Sequence, residues 1–499
     1  MADQKWYDEG TRPKVFINWK SFEDWGIPSD WKIPFQNAVI NAYTRWMNMA
    51  GVDLRFQFWN YTERTSARNG ELLIKMNERH ANSTRLASTF GRYGKLEIVF
   101  HRKRGSDLTP WNFSIWYGNT NEFDMYTILV HEFGHCLGLD HSSDTDDVMT
   151  GGHRWHHRFG LYKKDVDDLQ NVYSPYNKNR LRQLRSTNGG TSWSTVNNNL
   201  TNHNHNDART NITPGVAATP NSGLYVLGYS SLNQKPIYLR GTGGHMMTNH
   251  WIVYGGQNSI LGPAFASDQD ANMLYAWVDN DDNGTIKLVR STNHGFSWFW
   301  ASTPANANTY GTPGLCHTKV GGQDTWILVW SQLDRSDRSK AGHIYASIST
   351  NDGSSWSTPV RLSSFYKVLS GVSVAADANN HIVVAFAWAP NSNSQKHKVN
   401  RIRTFNCSIN SGQLRVDRTI MTNETTRIQP AVAYDSKFSK FIMAWRGQNF
   451  NTTLNVVSKG TTATSWSGKV HLSDKRSDVA PALAYSDENE ELVLWYAFE

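Results

Sequence analysis

A chain of 499 residues is too long for one ordinary hydrophobic core, so two or more domains are expected. Its 39% hydrophobic and 19% charged content excludes a disordered chain. The formal charge of +7 is scattered, the longest basic cluster being His101-Arg102-Lys103-Arg104, and nucleic-acid binding is not expected. Three cysteines, Cys136, Cys316 and Cys407, exclude a disulfide framework. No run is long and apolar enough for a membrane span, and the first residues lack the apolar core of a secretory leader.

In chain order, Lys14-Val15-Phe16-Ile17-Asn18-Trp19 predicts a strand from its β-branched and aromatic content. Phe35 to Met49 has helical apolar spacing, with Pro34 at its start where a missing N–H costs nothing. Val52 to Trp59, Glu71 to Met76 and Leu96 to Phe100 predict further strands, which together with the helix make a mixed α/β layer. Trp111 to Asn121 is a polar and aromatic linker. It leads into a helix predicted over Glu122 to Leu137, with Asn121 as N-cap, Asp124 at the third helical position, and Met125, Leu129, Phe133 and Leu137 as the core-facing stripe.

This helix carries His131-Glu132-Phe133-Gly134-His135-Cys136-Leu137-Gly138-Leu139-Asp140-His141. Residues at i and i+4 lie about 40° apart around a helix, so the imidazoles of His131 and His135 can reach one metal ion. Gly138 can adopt the left-handed conformation that ends a helix, turning the chain so that His141 arrives as a third ligand. Glu132 is placed to hold a metal-bound water and act as general base, then proton donor. Cys136 reads as a small, free, buried side chain.

The HExxHxxGxxH pattern, with Met149 following in Asp147-Val148-Met149-Thr150, resembles the metzincin metalloproteases, and Ser142 after the third histidine is similar to their matrixin branch. Ala38-Val39-Ile40-Asn41-Ala42-Tyr43-Thr44-Arg45-Trp46 is similar to the first matrixin helix and Leu161 to Tyr173 to the last. The resemblance covers roughly residues 12–173. It implies a catalytic zinc on His131, His135 and His141, Met149 as the Met-turn, and calcium as a further candidate ion. It also implies that Leu86, Ala87, Ser88 and Thr89 lie on the edge strand along which a peptide substrate is held, since an exposed edge offers unpaired backbone groups to an extended chain. Ser88 stands where the family often has a structural-zinc histidine, which argues against a second zinc. The segment Gly151 to Arg158, after the Met-turn, falls where the family builds the wall of its specificity pocket.

Beyond Tyr173 the texture changes to Asn, Ser, Thr, Gly and Trp with short apolar runs at regular intervals. Units such as Pro263-x-x-Ala266 with Leu274-Tyr275-Ala276-Trp277, and Pro430-x-x-Ala433 with Phe441 to Trp445, recur about every 50–60 residues, the size of a four-stranded propeller blade. Six units are read in this way. The last has room for only two strands before Glu499, whereas residues 181–196 have an outer-strand pattern without inner strands, so the two segments are expected to share one blade and close the ring. Ser186 to Trp193, Ser291 to Trp298 and Ser349 to Trp356 resemble the Asp-box of sialidases and related propellers, with Asn at the acidic position. That motif staples a hairpin and carries no chemistry of its own. Arg427-Ile428-Gln429-Pro430 only approximates the Arg-Ile-Pro motif of a sialidase.

The expectation from sequence is therefore a multidomain chain. An α/β metzincin-type domain over residues 1–176 would be a zinc-dependent endopeptidase, and an all-β six-bladed propeller over residues 177–499 would bind or position substrate or glycan. Protein or glycoprotein substrates and a carbohydrate at the propeller are the expected partners, with no nucleic acid. The setting is expected to be extracellular, with the leader a secreted protease needs absent from this sequence. The alternative is a propeller lectin or sialidase-like glycosidase carrying an accessory or inactive protease-like domain.

Overall fold

The computed structural model describes residues 11–50, 56–77, 86–101, 123–142 and 148–150, with shorter pieces beside them. Further along it describes residues 180–196, 213–219, 224–230, 236–242, 245–252, 261–268, 271–279, 284–295, 297–309, 311–332, 342–362, 371–388, 401–426, 428–447 and 452–498. The chain divides into two compact units, one taking in Met1–Tyr176 and the other Asn177–Ala389 and Asn400–Glu499.

In the first unit, β1 (Lys14–Ile17), β2 (Gln57–Tyr61), β3 (Glu71–Asn77), β4 (Ala87–Arg92) and β5 (Lys95–His101) form one sheet in the order β2-β1-β3-β5-β4. The first four in that order run parallel, while β4 lies antiparallel to β5 at the edge. Val15, Ile17, Leu72, Leu73, Ile74, Leu96 and Ile98 are fully buried, as the strands of a sheet covered on both faces should be. The predicted strand ends two residues early, at Ile17, and the helix α1 (Trp19–Glu23) follows, capped by the Asn18 side chain accepting from the Ser21 N–H.

The long helix α2 (Lys32–Ala50) extends beyond both of its predicted ends. Its Phe35 joins Phe22 and Phe100 in an aromatic cluster with ring centroids 4.8 and 5.8 Å away. Its Trp46 donates from the indole nitrogen to the Val130 carbonyl at 2.7 Å, pinning α2 to helix α3 (Met125–Cys136). The predicted start of α3 is corrected by three residues. Phe123–Asp124 is extended and pairs with Trp111–Asn112, so Asp124 is not a first-turn helix residue. Asn121, residues 51–55 and most of the predicted helix over 161–173 lie outside the described residues.

Among the described residues of the second unit, five blades, not the expected six, are made of four consecutive antiparallel strands each. They run from Gly215 to Ile252, Ala264 to Trp300, Gly314 to Arg361, Val372 to Thr425 and Ala431 to Arg476. A further four-stranded sheet is composite: Ser194–Thr195 and Arg180–Ser186 pair with Glu491–Phe498 and Ala482–Ser486. The register across the junction is continuous, from Arg180 opposite Phe498 to Ser186 opposite Leu492. The first strand of each blade touches the first strand of the next, and Ala482–Ser486 touches both Ala431–Asp435 and Gly215–Thr219, which closes the ring.

Three near-identical turns brace these sheets. In each, a serine hydroxyl (Ser186, Ser291, Ser349) donates to an Asn side-chain oxygen two residues on and accepts the N–H of Gly190, Gly295 or Gly353. Those glycines have φ of 75–79°, where a side chain would be strained. The tryptophans that follow lie at blade interfaces: Trp193 packs against residues of both the composite sheet and the 431–476 blade, and Trp356 donates to the Ser302 carbonyl.

The composite sheet makes the ring dependent on the last residues of the chain. Trp495 is fully buried between Gln183 and Ala482, and Trp495→Ala should cost about 3–5 kcal/mol. Deleting residues 481–499 should abolish cooperative unfolding of the second unit in calorimetry, and an unchanged transition would contradict the closure.

Candidate metal centre

The site is built on the C-terminal half of α3. Met125, Leu129, Phe133 and Leu137 are each fully buried and fix the helix against the unit's core, leaving His131 and His135 half-buried on another face. Gly138 has φ of 94° and the Leu139 N–H returns to the Gly134 carbonyl at 3.0 Å, so the helix ends where the sequence predicts and the chain swings back. That turn brings His141 beside the other two.

The three imidazoles converge through the same atom. His135 Nε2 lies 3.1 Å from His131 Nε2 and 3.2 Å from His141 Nε2. The second ring nitrogens of two of them face carbonyls, His131 Nδ1 at 2.8 Å from Val148 O and His135 Nδ1 at 2.7 Å from Leu139 O. A carbonyl only accepts, so each Nδ1 is the protonated nitrogen and each Nε2 presents a lone pair. Burial, with His131 adding to it, pushes the His135 imidazole down to about 4, which keeps it neutral and able to ligate at neutral pH. Lone pairs aimed at one another at this distance repel, and a shared cation is what such a donor set fits. Among the described residues, this is the group of three His, Cys, Asp or Glu side chains that could hold a metal ion.

Glu132 is buried beside this cluster. Its carboxylate accepts a hydrogen bond from the Thr89 hydroxyl at 2.6 Å, and the same hydroxyl is 3.1 Å from the Glu132 carbonyl. Thr89 belongs to β4, whose outer edge has no paired strand among the described residues. Ala87 and Ser88 lie on the same strand and Leu86 directly precedes it, with the Leu86 carbonyl accepting from the His101 N–H at 2.8 Å. The Ser88 hydroxyl is 3.1 Å from His101 Nε2, which gives that histidine a hydrogen-bond partner.

Met149 sits beneath the helix. A Cβ on Gly134 would come within 2.1 Å of the Met149 sulfur and 2.9 Å of the Trp46 ring, so glycine is what lets this turn pack so close. The turn is tied down by Asp165, whose buried carboxylate accepts the N–H groups of Val148 and Met149 at 3.2 and 3.3 Å. Asp165 falls within the segment Leu161 to Tyr173 expected to form the closing helix, and nothing in its spacing signals this contact. Cys136 is free and fully buried, and burial holds its thiol well above the ordinary range. Residues 151–158, expected to form a pocket wall, lie outside the described residues.

Residues 32–174 match the matrixin family model. Matrix metalloproteinase-20 of Homo sapiens is 37% identical over 73 residues, 14% of this chain and 15% of that protein. Interstitial collagenase B of Mus musculus is 34% identical over 61 residues, 12% of this chain and 13% of that protein. The matched part is thus a small fraction of the length of these curated relatives. Among solved structures, the Hadza microbial sialidase Hz136 is similar to the chain with a TM-score of 0.38 at 12% identity, over 58% of this chain and 65% of that one. Residues 32–174, which include the three-histidine cluster, are a matrixin-type segment joined in one chain to a β-propeller.

Proposed function

We propose that the first unit is a zinc-dependent endopeptidase acting on extracellular protein substrates, with His131, His135 and His141 as metal ligands and Glu132 as the catalytic base. The observation that carries this reading is the convergence of three imidazole Nε2 atoms, joined by contacts of 3.1 and 3.2 Å, beside a buried carboxylate. Held by His131, His135 and His141, a zinc ion would supply Lewis acidity toward a carbonyl and toward water.

The chain's own residues supply the rest. The Glu132 carboxylate takes the proton of the attacking water and returns it to the leaving amine. The unpaired edge of β4 offers backbone N–H and C=O groups to an extended peptide, which would add as one more antiparallel strand next to Thr89. Thr89 fixes one carboxylate oxygen of Glu132 and so its orientation. The Met149 turn supports the helix from below, held by Asp165. The propeller is proposed to bind or position substrate or glycan, its Ser-x-Asn turns serving as Asp-box staples.

Glu132→Ala is expected to lower peptide cleavage by about 10²–10⁴-fold while one zinc per chain is retained, because Glu132 is a base and not a ligand. His135→Ala should lose the metal, measured by elemental analysis after gel filtration. Near-normal turnover in the Glu132 variant would sink the mechanism.

Thr89 adds a sharper test, since its hydroxyl touches the base rather than the metal. Thr89→Val should lower kcat about tenfold with KM little changed, the scale of one hydrogen bond to a charged group, and Thr89→Ser should restore it. A loss confined to KM, or no rescue by serine, would show that the hydroxyl does not position Glu132.

A further inference from the structure

Between two neighbouring blades of the propeller, Val372–Thr425 and Ala431–Arg476, lies a cleft of about 290 Å³ lined by His381, Asn406, Arg418, Lys459, Thr462 and Thr464 among others. At its wall Lys459 is 2% exposed, and its ammonium has no hydrogen-bond partner among the described residues. The Asn406 side-chain oxygen is likewise buried without one. Asn406 is paired with Val383 and Arg418, and Lys459 with Phe441.

A buried ammonium without an anion costs several kcal/mol. The rings of Phe441 and Trp466, whose centroids lie 4.9 and 5.7 Å from Lys459 Nζ, offset part of this. The nearby carboxylates are already engaged. Asp377 accepts His381 Nδ1 at 2.7 Å and the N–H groups of Asn379 and His381 at 2.8 Å each, and Asp417 accepts the Ser408 hydroxyl at 3.0 Å. Burial accordingly pushes Lys459 down to about 8, against the weaker pull of Asp377. The cleft thus offers a cation lacking an acceptor, an amide lacking a partner, and threonine hydroxyls, in a volume near that of one sugar ring.

We propose that this cleft binds a small hydroxy acid of monosaccharide size, its carboxylate on the Lys459 ammonium and its hydroxyls on Asn406 and the threonines. A monoanion fits better than a phosphate dianion, because Lys459 and Arg418 share the cleft with the Asp417 carboxylate and leave a single net positive charge. A uronic acid is the simplest sugar with this chemistry. The proposal deepens the glycan-binding role suggested for the propeller and is independent of the peptidase reading.

The test is calorimetric titration of the full chain with glucuronate, with glucose as its neutral counterpart and acetate as the bare carboxylate. Glucuronate should bind at one site per chain at least tenfold more tightly than either, and Lys459→Met should weaken it at least tenfold. Thr462→Val, which leaves the buried cation in place, should weaken it several-fold and decides the matter if the Lys459 variant does not fold. Equal binding of glucose would leave a neutral-glycan site and overturn the acid. Equal binding of acetate would overturn the sugar, and no saturable glucuronate binding, or binding unchanged in the variants, would overturn the site.

Discussion

The first unit depends on one electrostatic constraint: three imidazole Nε2 atoms converge, His135 lying 3.1 and 3.2 Å from the other two, with the lone pairs of His131 and His135 facing inward. Such an arrangement is unfavourable without a cation between them, so the surrounding structure must enforce it. Two backbone carbonyls, Val148 and Leu139, fix the tautomers of His131 and His135. The Val148 carbonyl is itself placed by the Met149 turn, which Asp165 anchors through two N–H groups. The turn approaches the helix only because position 134 has no side chain. Ligand orientation, Met-turn and helix glycine are therefore parts of one mechanical unit.

The second unit obeys a different constraint, the need to leave no sheet edge unpaired. It is met by joining Arg180–Ser186 to Glu491–Phe498 over seven paired residues. Local order then comes from the repeated serine–asparagine turns, which satisfy tight backbone hydrogen bonds without help from distant residues. Trp356, at one of these turns, donates to the Ser302 carbonyl, and Trp466, outside them, donates to the Thr404 hydroxyl, so tryptophans link neighbouring blades. Ring closure and interblade packing thus lie at different points of the same hairpins.

Much of this was legible in the sequence because it is local. The i, i+4 histidines, the helix-ending Gly138 and the Ser-x-Asn-x-Gly turns are dictated by spacing within a dozen residues, and the shared sheet followed from counting strands at the two ends. What was not legible depends on which face of one element meets another. Thr89 was read as a backbone edge residue, but its hydroxyl reaches Glu132 only because β4 lies against α3. Nothing in the local sequence signals the placement of Asp165 or Lys459, yet one is buried under the Met149 turn and the other between two blades. The start of α3 was misplaced because an N-cap pattern at Asn121 is a local preference, and strand pairing at Phe123–Asp124 overrides it.

The central claim is that the three-histidine cluster is a working metal centre. It is tested most directly by removing and restoring the metal while following cleavage of a peptide library. The account predicts one zinc per chain, loss of cleavage when a chelator strips it, and recovery on adding one equivalent of zinc. Cleavage that persists in the stripped protein, or a chain that binds no zinc while His131, His135 and His141 are intact, would contradict it.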